Sequence, residues 1–371
     1  MLTDYASEIA ESLDWARSRV LRKTLAYPTL RKAFLTRSHR LFLFFILTTL
    51  FALLSSLFVP LWSLLLGPLL YGVPHLYSSL RYVHHALIPR SLNESAKATA
   101  GKGHTLFLFL TLTFTLVTTL RLWMHFHSIT LEALPLGDLL PEWLSYGVTC
   151  LGLSWIYRHS WRELAPGLTL TLCLLVLAWR FPLEIAGLLM LAHHFIGFLF
   201  WIHFSRKDAA DFKIALLCSL LFCFLHVLIF LGVFDPLYAL YSPSGEIAWA
   251  NLEYSQIGAL VLPHATEYTT LFHATTAYAF GQTLHYFLWL KAIPDQHHYH
   301  TTPTTFRQSL TLLLKDFRSP FLILGAVATG SLWMIWILWN YPMVRTLYFI
   351  LASYHGFMEL AALGLLRRTP S

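Results

Sequence analysis

Long apolar runs recur from residue 41 almost to the end of the chain, and they restrict the fold more than any motif does. A run of about 20 apolar residues is the length that crosses a bilayer as a helix. In hydrocarbon every backbone N–H and C=O must find its partner within the protein, so such runs are helices packed side by side. We read about ten of them, over 41–59, 61–82, 105–124, 143–157, 167–179, 183–204, 213–233, 265–290, 321–339 and 344–366, the fourth and fifth being the shortest. Of 371 residues, 56% are hydrophobic and 12% charged, which excludes an ordinary soluble domain. The expected class is all-α: a polytopic integral membrane helix bundle. Residues 1–40 form a basic amphipathic cytoplasmic segment and 41–368 a single transmembrane helical domain.

Loop charge sets the expected orientation. Lys and Arg crowd the segment before the first run, and alternate threading puts Arg90, Lys97 and Lys102, then Arg206, Lys207 and Lys213, and finally Arg367 and Arg368 on the same side. The opposite loops hold Glu132, Asp138, Asp235, Glu246 and Glu253. Basic loops stay in the cytoplasm, so both termini are expected inside, in a multi-pass protein of a bacterial inner membrane. The net charge of +7 follows from this bias and suits anionic lipid headgroups, so the bilayer, and no nucleic acid, is the expected partner. The 4 cysteines all fall within apolar runs and offer neither a disulfide framework nor a zinc pattern.

Histidine gives the chain its chemistry. His75, His193, His194, His273, His285 and His355 lie inside apolar runs, where an imidazole is costly unless paired or ligated. At about 1.5 Å of rise per residue, His75, His285, His194 and His355 lie about 8 to 16 Å from the cytoplasmic ends of their spans, so these four can meet at one depth. His273 is roughly 18 Å from His285 along the same helix and is placed in the outer half, beside His264 and Glu267. His193 and His194 point about 100° apart, and either can be the ligand. In the last run Arg345, Tyr348, Ala352, His355 and Glu359 share one helical face, with Glu359 one turn from His355. Glu359 can orient the imidazole, ligate the metal or simply bond His355 between helices. On the second run His75, Ser78, Tyr82 and His85 share a face. Gln282 and Tyr286 beside His285 suit hydrogen bonding to that ring. The expected metal ligands are thus His75, His193, His194, His285 and His355, with Glu359 and Tyr82 as catalytic groups. His226 is expected to be a packing residue.

A second group, His84, His85, His203 and the run 295–300, borders the cytoplasmic interface and could extend the site toward a diiron centre. For 297–300 a polar interfacial loop is the favoured reading. The chain lacks the His-x-x-x-His and His-x-x-His-His boxes of membrane desaturases.

Gly72-Val73-Pro74-His75 remotely resembles the Gly-x-Pro-His motif of the Brp/Blh family of membrane carotene dioxygenases, and residues 278–287 resemble the aromatic, histidine-containing later segment of such proteins. The resemblance implies iron held by intramembrane histidines, cleavage of a carotenoid with O₂, and His75 and His285 as ligands.

The function expected from these features is a histidine-ligated, non-haem iron oxygenase (dioxygenase, desaturase or hydroxylase) acting on a lipophilic isoprenoid or lipid that enters from the bilayer. Its partners would be O₂ and, where electrons are needed, a separate electron-transfer protein, since no nucleotide-binding motif is present. The alternatives are a proton-coupled transporter, with His355, Glu359, Arg345, Glu267, His273 and an Arg180–Glu184 pair as relay, and a haem b protein with two histidine ligands.

Overall fold

A computed structural model describes residues 2–87, 181–240, 246–297 and 305–317, with scattered residues between 105 and 180 and between 328 and 359. The described residues are mostly helical, and the strands among them form one short antiparallel pair, β1 (Glu246–Ile247) and β2 (Leu252–Glu253), with Glu246 opposite Glu253.

Among the described residues, three helices are long and apolar enough to cross a membrane: α3 (Arg37–Phe58), α6 (Pro182–Ser205, apolar from Leu183) and α7 (Ala209–Phe230). They coincide with the expected runs 41–59, 183–204 and 213–233. Two further runs are helical but interrupted. The run 61–82 becomes α4 (Pro60–Gly67), a π-helical turn at Pro68–Gly72 and α5 (Val73–Leu87). The run 265–290 becomes α10 (Tyr268–Phe287) and a second π turn at Leu288–Ala292. Run 143–157 lies outside the described residues, and 105–124, 167–179, 321–339 and 344–366 are described only in part.

Local chemistry explains where these helices begin and end. Pro60 and Pro182 stand at the first helical position, where the missing N–H is no loss. Asp208 caps α7, its carboxylate accepting from the backbone N–H of Ala210 and Asp211 at 2.8 and 3.1 Å. Beyond α7 the chain reverses at Gly232, whose φ of +69° suits glycine.

Side-chain exposure separates two faces of α7. Asp211, Ala215, Cys218, Phe222, His226 and Ile229 are buried, whereas Leu217, Leu220, Phe224, Val227 and Leu231 are each more than half exposed at spacings of three and four. Such an apolar stripe belongs against lipid rather than water, in keeping with a membrane protein. α10 is buried on nearly every side, and α3, α4, α6 and α7 pack around it together with α9 (Tyr254–Val261). The central helix of the described bundle is therefore the one that carries His285.

The N-terminal helix α1 (Leu2–Thr24) packs against α12 (Phe306–Phe317). The Asp14 carboxylate accepts the backbone N–H groups of Phe306 and Arg307 at 2.8 and 3.1 Å and so caps α12 from another helix. Desolvation alone would raise the Asp14 carboxyl, but these bonds, with Arg17 and Thr305 nearby, hold it below its ordinary value.

Candidate metal centre

The two π turns adjoin the two histidines that the family resemblance singles out. One ends at Gly72, three residues before His75, and the other begins at Leu288, three residues after His285. A π turn shifts the register of a helix and re-aims the side chains next to it. His193 comes from α6, and His355 and Glu359 come from the helical residues near the end of the chain.

His193, His285, His355 and Glu359 each present a donor atom, and these atoms all lie within 4.8 Å of one another. His193 Nδ1 is 3.5 Å from Glu359 Oε2, and His355 Nε2 is 3.8 Å from Glu359 Oε1. His75 adjoins the group, its Nε2 3.1 Å from His355 Nε2. Ligand atoms at 2.0–2.1 Å around one tetrahedral ion stand about 3.3 Å apart, so these separations are those of neighbouring ligands. His75 Nδ1 lies 3.2 Å from the Tyr71 carbonyl, to which an Nδ1–H donates; this leaves the Nε2 lone pair facing inward, the usual orientation of a metal-bound imidazole.

Hydrogen bonding within the protein does not satisfy this cluster. Both ring nitrogens of His285, Nδ1 of His193 and both oxygens of Glu359 are buried without a hydrogen-bond partner, although Glu359 is wholly inaccessible to solvent. A buried polar group left unsatisfied costs about 1–3 kcal/mol. Several at one place, of the residue types that ligate transition metals, fit a cation. Close approach is built into the backbone as well. A Cβ at Gly356 would lie 3.1 Å from His193 Nδ1, and one at Gly281 would come within 2.5 Å of His194 Nδ1. The three histidines and one glutamate form a group that can hold a metal ion.

The remaining expected residues fall in different places. His194 is buried, but its Nδ1 faces Gly281 and its ring lies 5.0 Å from that of Tyr278, so of the adjacent pair it is His193 that joins Glu359. Tyr82 is buried two helical turns beyond His75, about 10 Å along the helix. The hydrogen bonding expected around His285 takes another form: Gln282 Nε2 donates to Tyr286 Oη at 2.5 Å, Tyr286 meets Tyr348 Oη at 3.0 Å, and the Tyr286 ring packs 4.6 Å from that of His75. His273 pairs with Asp235 at 2.7 Å and His264 with Glu184 at 2.8 Å. Glu184 is thus engaged by His264, and Arg180 lies over the Phe181 ring instead. His226 Nδ1 lies 3.1 Å from the carbonyl of Phe222 on its own helix, and its Nε2 is buried without a hydrogen-bond partner. Of the interfacial group, His203 is partly buried, the side chains of His84, His85 and His297 lie outside the described residues, and so do residues 298–300. Cys173, Cys218 and Cys223 are free thiols, and Cys150 lies outside the described residues.

Sequence reasoning missed Gly281 and Gly356 as the residues that admit the imidazoles. Their position beside candidate ligands in helix interiors, where glycine is otherwise unfavourable, was the available signal. The described residues form a helical bundle with three helices of membrane-spanning length, consistent with a membrane protein, and a largely buried group of three histidines and one glutamate. No protein family, curated protein or solved structure matches the chain.

Proposed function

We propose that the chain is a membrane oxygenase with a non-haem iron centre, acting on a lipophilic isoprenoid or lipid substrate. The observation that carries this reading is the convergence of His193, His285, His355 and Glu359, with His285 and Glu359 buried and lacking hydrogen-bond partners, between helices of which two are of membrane length or interrupted by a π turn. Neutral imidazoles with one carboxylate form a donor set suited to ferrous iron, and the remote likeness to Brp/Blh carotene dioxygenases at His75 and His285 points the same way. Bound iron would supply O₂ activation.

The protein's own groups have distinct tasks in this reading. His193, His285 and His355 hold the ion, and Glu359 offsets part of its charge in a low-dielectric site. His75, its Nδ1–H directed to the Tyr71 carbonyl, either completes the ligand set or holds His355 in place. The surrounding apolar helices keep bulk water from the reacting atoms. Substrate enters from lipid, and any electrons come from a separate protein, because no nucleotide site is evident in the sequence.

Elemental analysis of detergent-purified protein, made without chelators and paired with a visible spectrum, tests the reading. We expect iron bound without a Soret band, and loss of most of it in His285→Ala. A metal-free wild-type protein would sink the proposal in favour of a proton relay through His355 and Glu359, and a Soret band would replace it with haem.

A further inference from the structure

The interrupted helix that carries His75 is held from outside by a pair of tyrosines. A π turn such as Pro68–Gly72 is rare, because it fits an extra residue into a helical turn. Were it to close into regular α-helix, the side chains beyond it would shift in phase by one residue, about 100°. His75, three residues past the turn, therefore meets His355 only while the turn persists. Pro68 opens the turn and has no N–H with which to bond the Leu64 carbonyl, which loosens the α-helical ladder without fixing what replaces it.

Tyr286 and Tyr348 supply the missing constraint. A Cβ at Gly67, the residue before the turn, would lie 2.9 Å from Tyr286 Cε2, and one at Gly72, the last residue of the turn, would lie 2.8 Å from Tyr348 Cε2. Neither position has room for a side chain, so one ring rests directly on the backbone at each end of the turn. The two hydroxyls meet at 3.0 Å, and Gln282 Nε2 donates to Tyr286 Oη. All three side chains are buried, and water does not compete for these bonds. The pair thus spans the π turn and closes over it through one hydrogen-bonded bridge.

This bridge also ties together the segments that deliver three of the imidazoles. Tyr286 directly follows His285, Tyr348 stands seven residues before His355, and the Tyr286 ring packs 4.6 Å from that of His75.

We propose that Tyr286 and Tyr348 are positioning residues of the candidate metal centre: seated on Gly67 and Gly72 and joined through their hydroxyls, they hold the Pro68–Gly72 turn and so keep His75 Nε2 at the cluster. This role rests on the metal-centre reading above, whereas the clamp on the turn stands on the tyrosines and glycines alone.

Two measurements on the full chain in detergent separate these parts. Cobalt(II) added to metal-free protein reports the centre through its affinity and its d–d absorption bands, and amide hydrogen exchange over 69–75 reports the turn with no metal present. Tyr348→Phe, which keeps the ring and removes only the hydroxyl, should weaken Co(II) binding at least tenfold, alter the bands as His75→Ala does, and speed exchange over 69–75. Gly72→Ala, which lifts the Tyr348 ring off the backbone, should do the same, and it keeps the test valid if the tyrosine variant fails to fold. Combining Tyr348→Phe with His75→Ala should bind Co(II) no more weakly than His75→Ala alone, because Tyr348 acts through His75. Additive losses, or wild-type bands in Tyr348→Phe, would overturn the positioning role, since a tyrosine that only adds stability lowers the melting temperature and leaves the bands unchanged. Wild-type protein that takes up no Co(II) would sink the metal-centre reading by itself. The clamp would then be upheld by faster exchange in Tyr348→Phe and Gly72→Ala, and overturned by exchange at the wild-type rate.

Discussion

Two buried polar clusters in this bundle meet the same physical requirement in opposite ways. At the start of α3, Arg37 Nε donates to Asp211 Oδ2 at 2.8 Å, and its Nη2 donates to Gln296 Oε1 at 2.8 Å and to the Asp295 carbonyl at 2.6 Å. Ser38 donates to the other Asp211 oxygen at 2.9 Å. Every atom of the Asp211 carboxylate is used, and opposite charges face each other. In the histidine cluster, imidazoles face imidazoles and a carboxylate, and several of their nitrogens and oxygens meet no hydrogen-bonding partner. The first cluster pairs its charges as folded, with only Gln296 Nε2 lacking a partner among its described polar atoms, and joins α3, α7 and α11 (Ile293–His297). The second leaves donor atoms that a bound cation could complete. A closed network specifies structure, whereas an open one of metal-ligating groups specifies a site.

Substitutions that make each cluster apolar separate these roles. The largest effect is expected at the closed network: Arg37→Met leaves Asp211 buried and unpaired and should cost about 3–5 kcal/mol of stability while leaving metal content unchanged. Thermal melts beside elemental analysis check this, and loss of metal without loss of stability would erase the distinction. At the open cluster the same type of change has the reverse sign for the metal-free protein. Glu359→Met removes an unsatisfied buried carboxyl, so chelator-treated protein should be stabilised by about 1–3 kcal/mol, while metal binding falls at least tenfold. A destabilised, metal-free Glu359→Met protein would mean that Glu359 is structural.

The smallest effect is expected at the surface, where charge and backbone meet at Asp14. Asp14→Ala should weaken the packing of α12 on α1 by about 1 kcal/mol at neutral pH, read as faster amide exchange in 306–317. The folded carboxyl of Asp14 titrates below its ordinary value, so this contribution is fully present above the ordinary aspartate range and is lost as pH falls through the lowered one. Wild type and variant should therefore converge in acid. A difference that persists there would show that packing, not the carboxylate, holds α12.

Much of the site was legible as residue types and depth. Regular helical rise puts His75, His194, His285 and His355 at one depth, and His75, His285 and His355 do lie together, whereas it is His193 rather than His194 that joins the Glu359 group. The helical periodicity that put Glu359 one turn from His355 also held. The choice between His193 and His194 was not legible, since it depends on how α6 is rotated against α10 and on the space left at Gly356 and Gly281. Depth along the helix puts His273 beside His264 and Glu267, but Asp235, which opens the short helix Asp235–Leu240 just past the turn after α7, lies 2.7 Å from it. That turn is set by Gly232, whose consequence for a side chain 41 residues away no local pattern records.

The sequence by itself determined the class of the protein, because apolar length and helical period follow from local chain chemistry and from what hydrocarbon permits. It also named the imidazoles and the carboxylate, since polar groups in such runs stand out by their cost. Tertiary structure alone decided which of them converge and that several of their donor atoms meet no hydrogen-bonding partner. Those outcomes depend on helix rotation, on π turns that shift register and on glycines that allow close approach. Each of these is a relation between segments distant in the chain, which local periodicity does not encode.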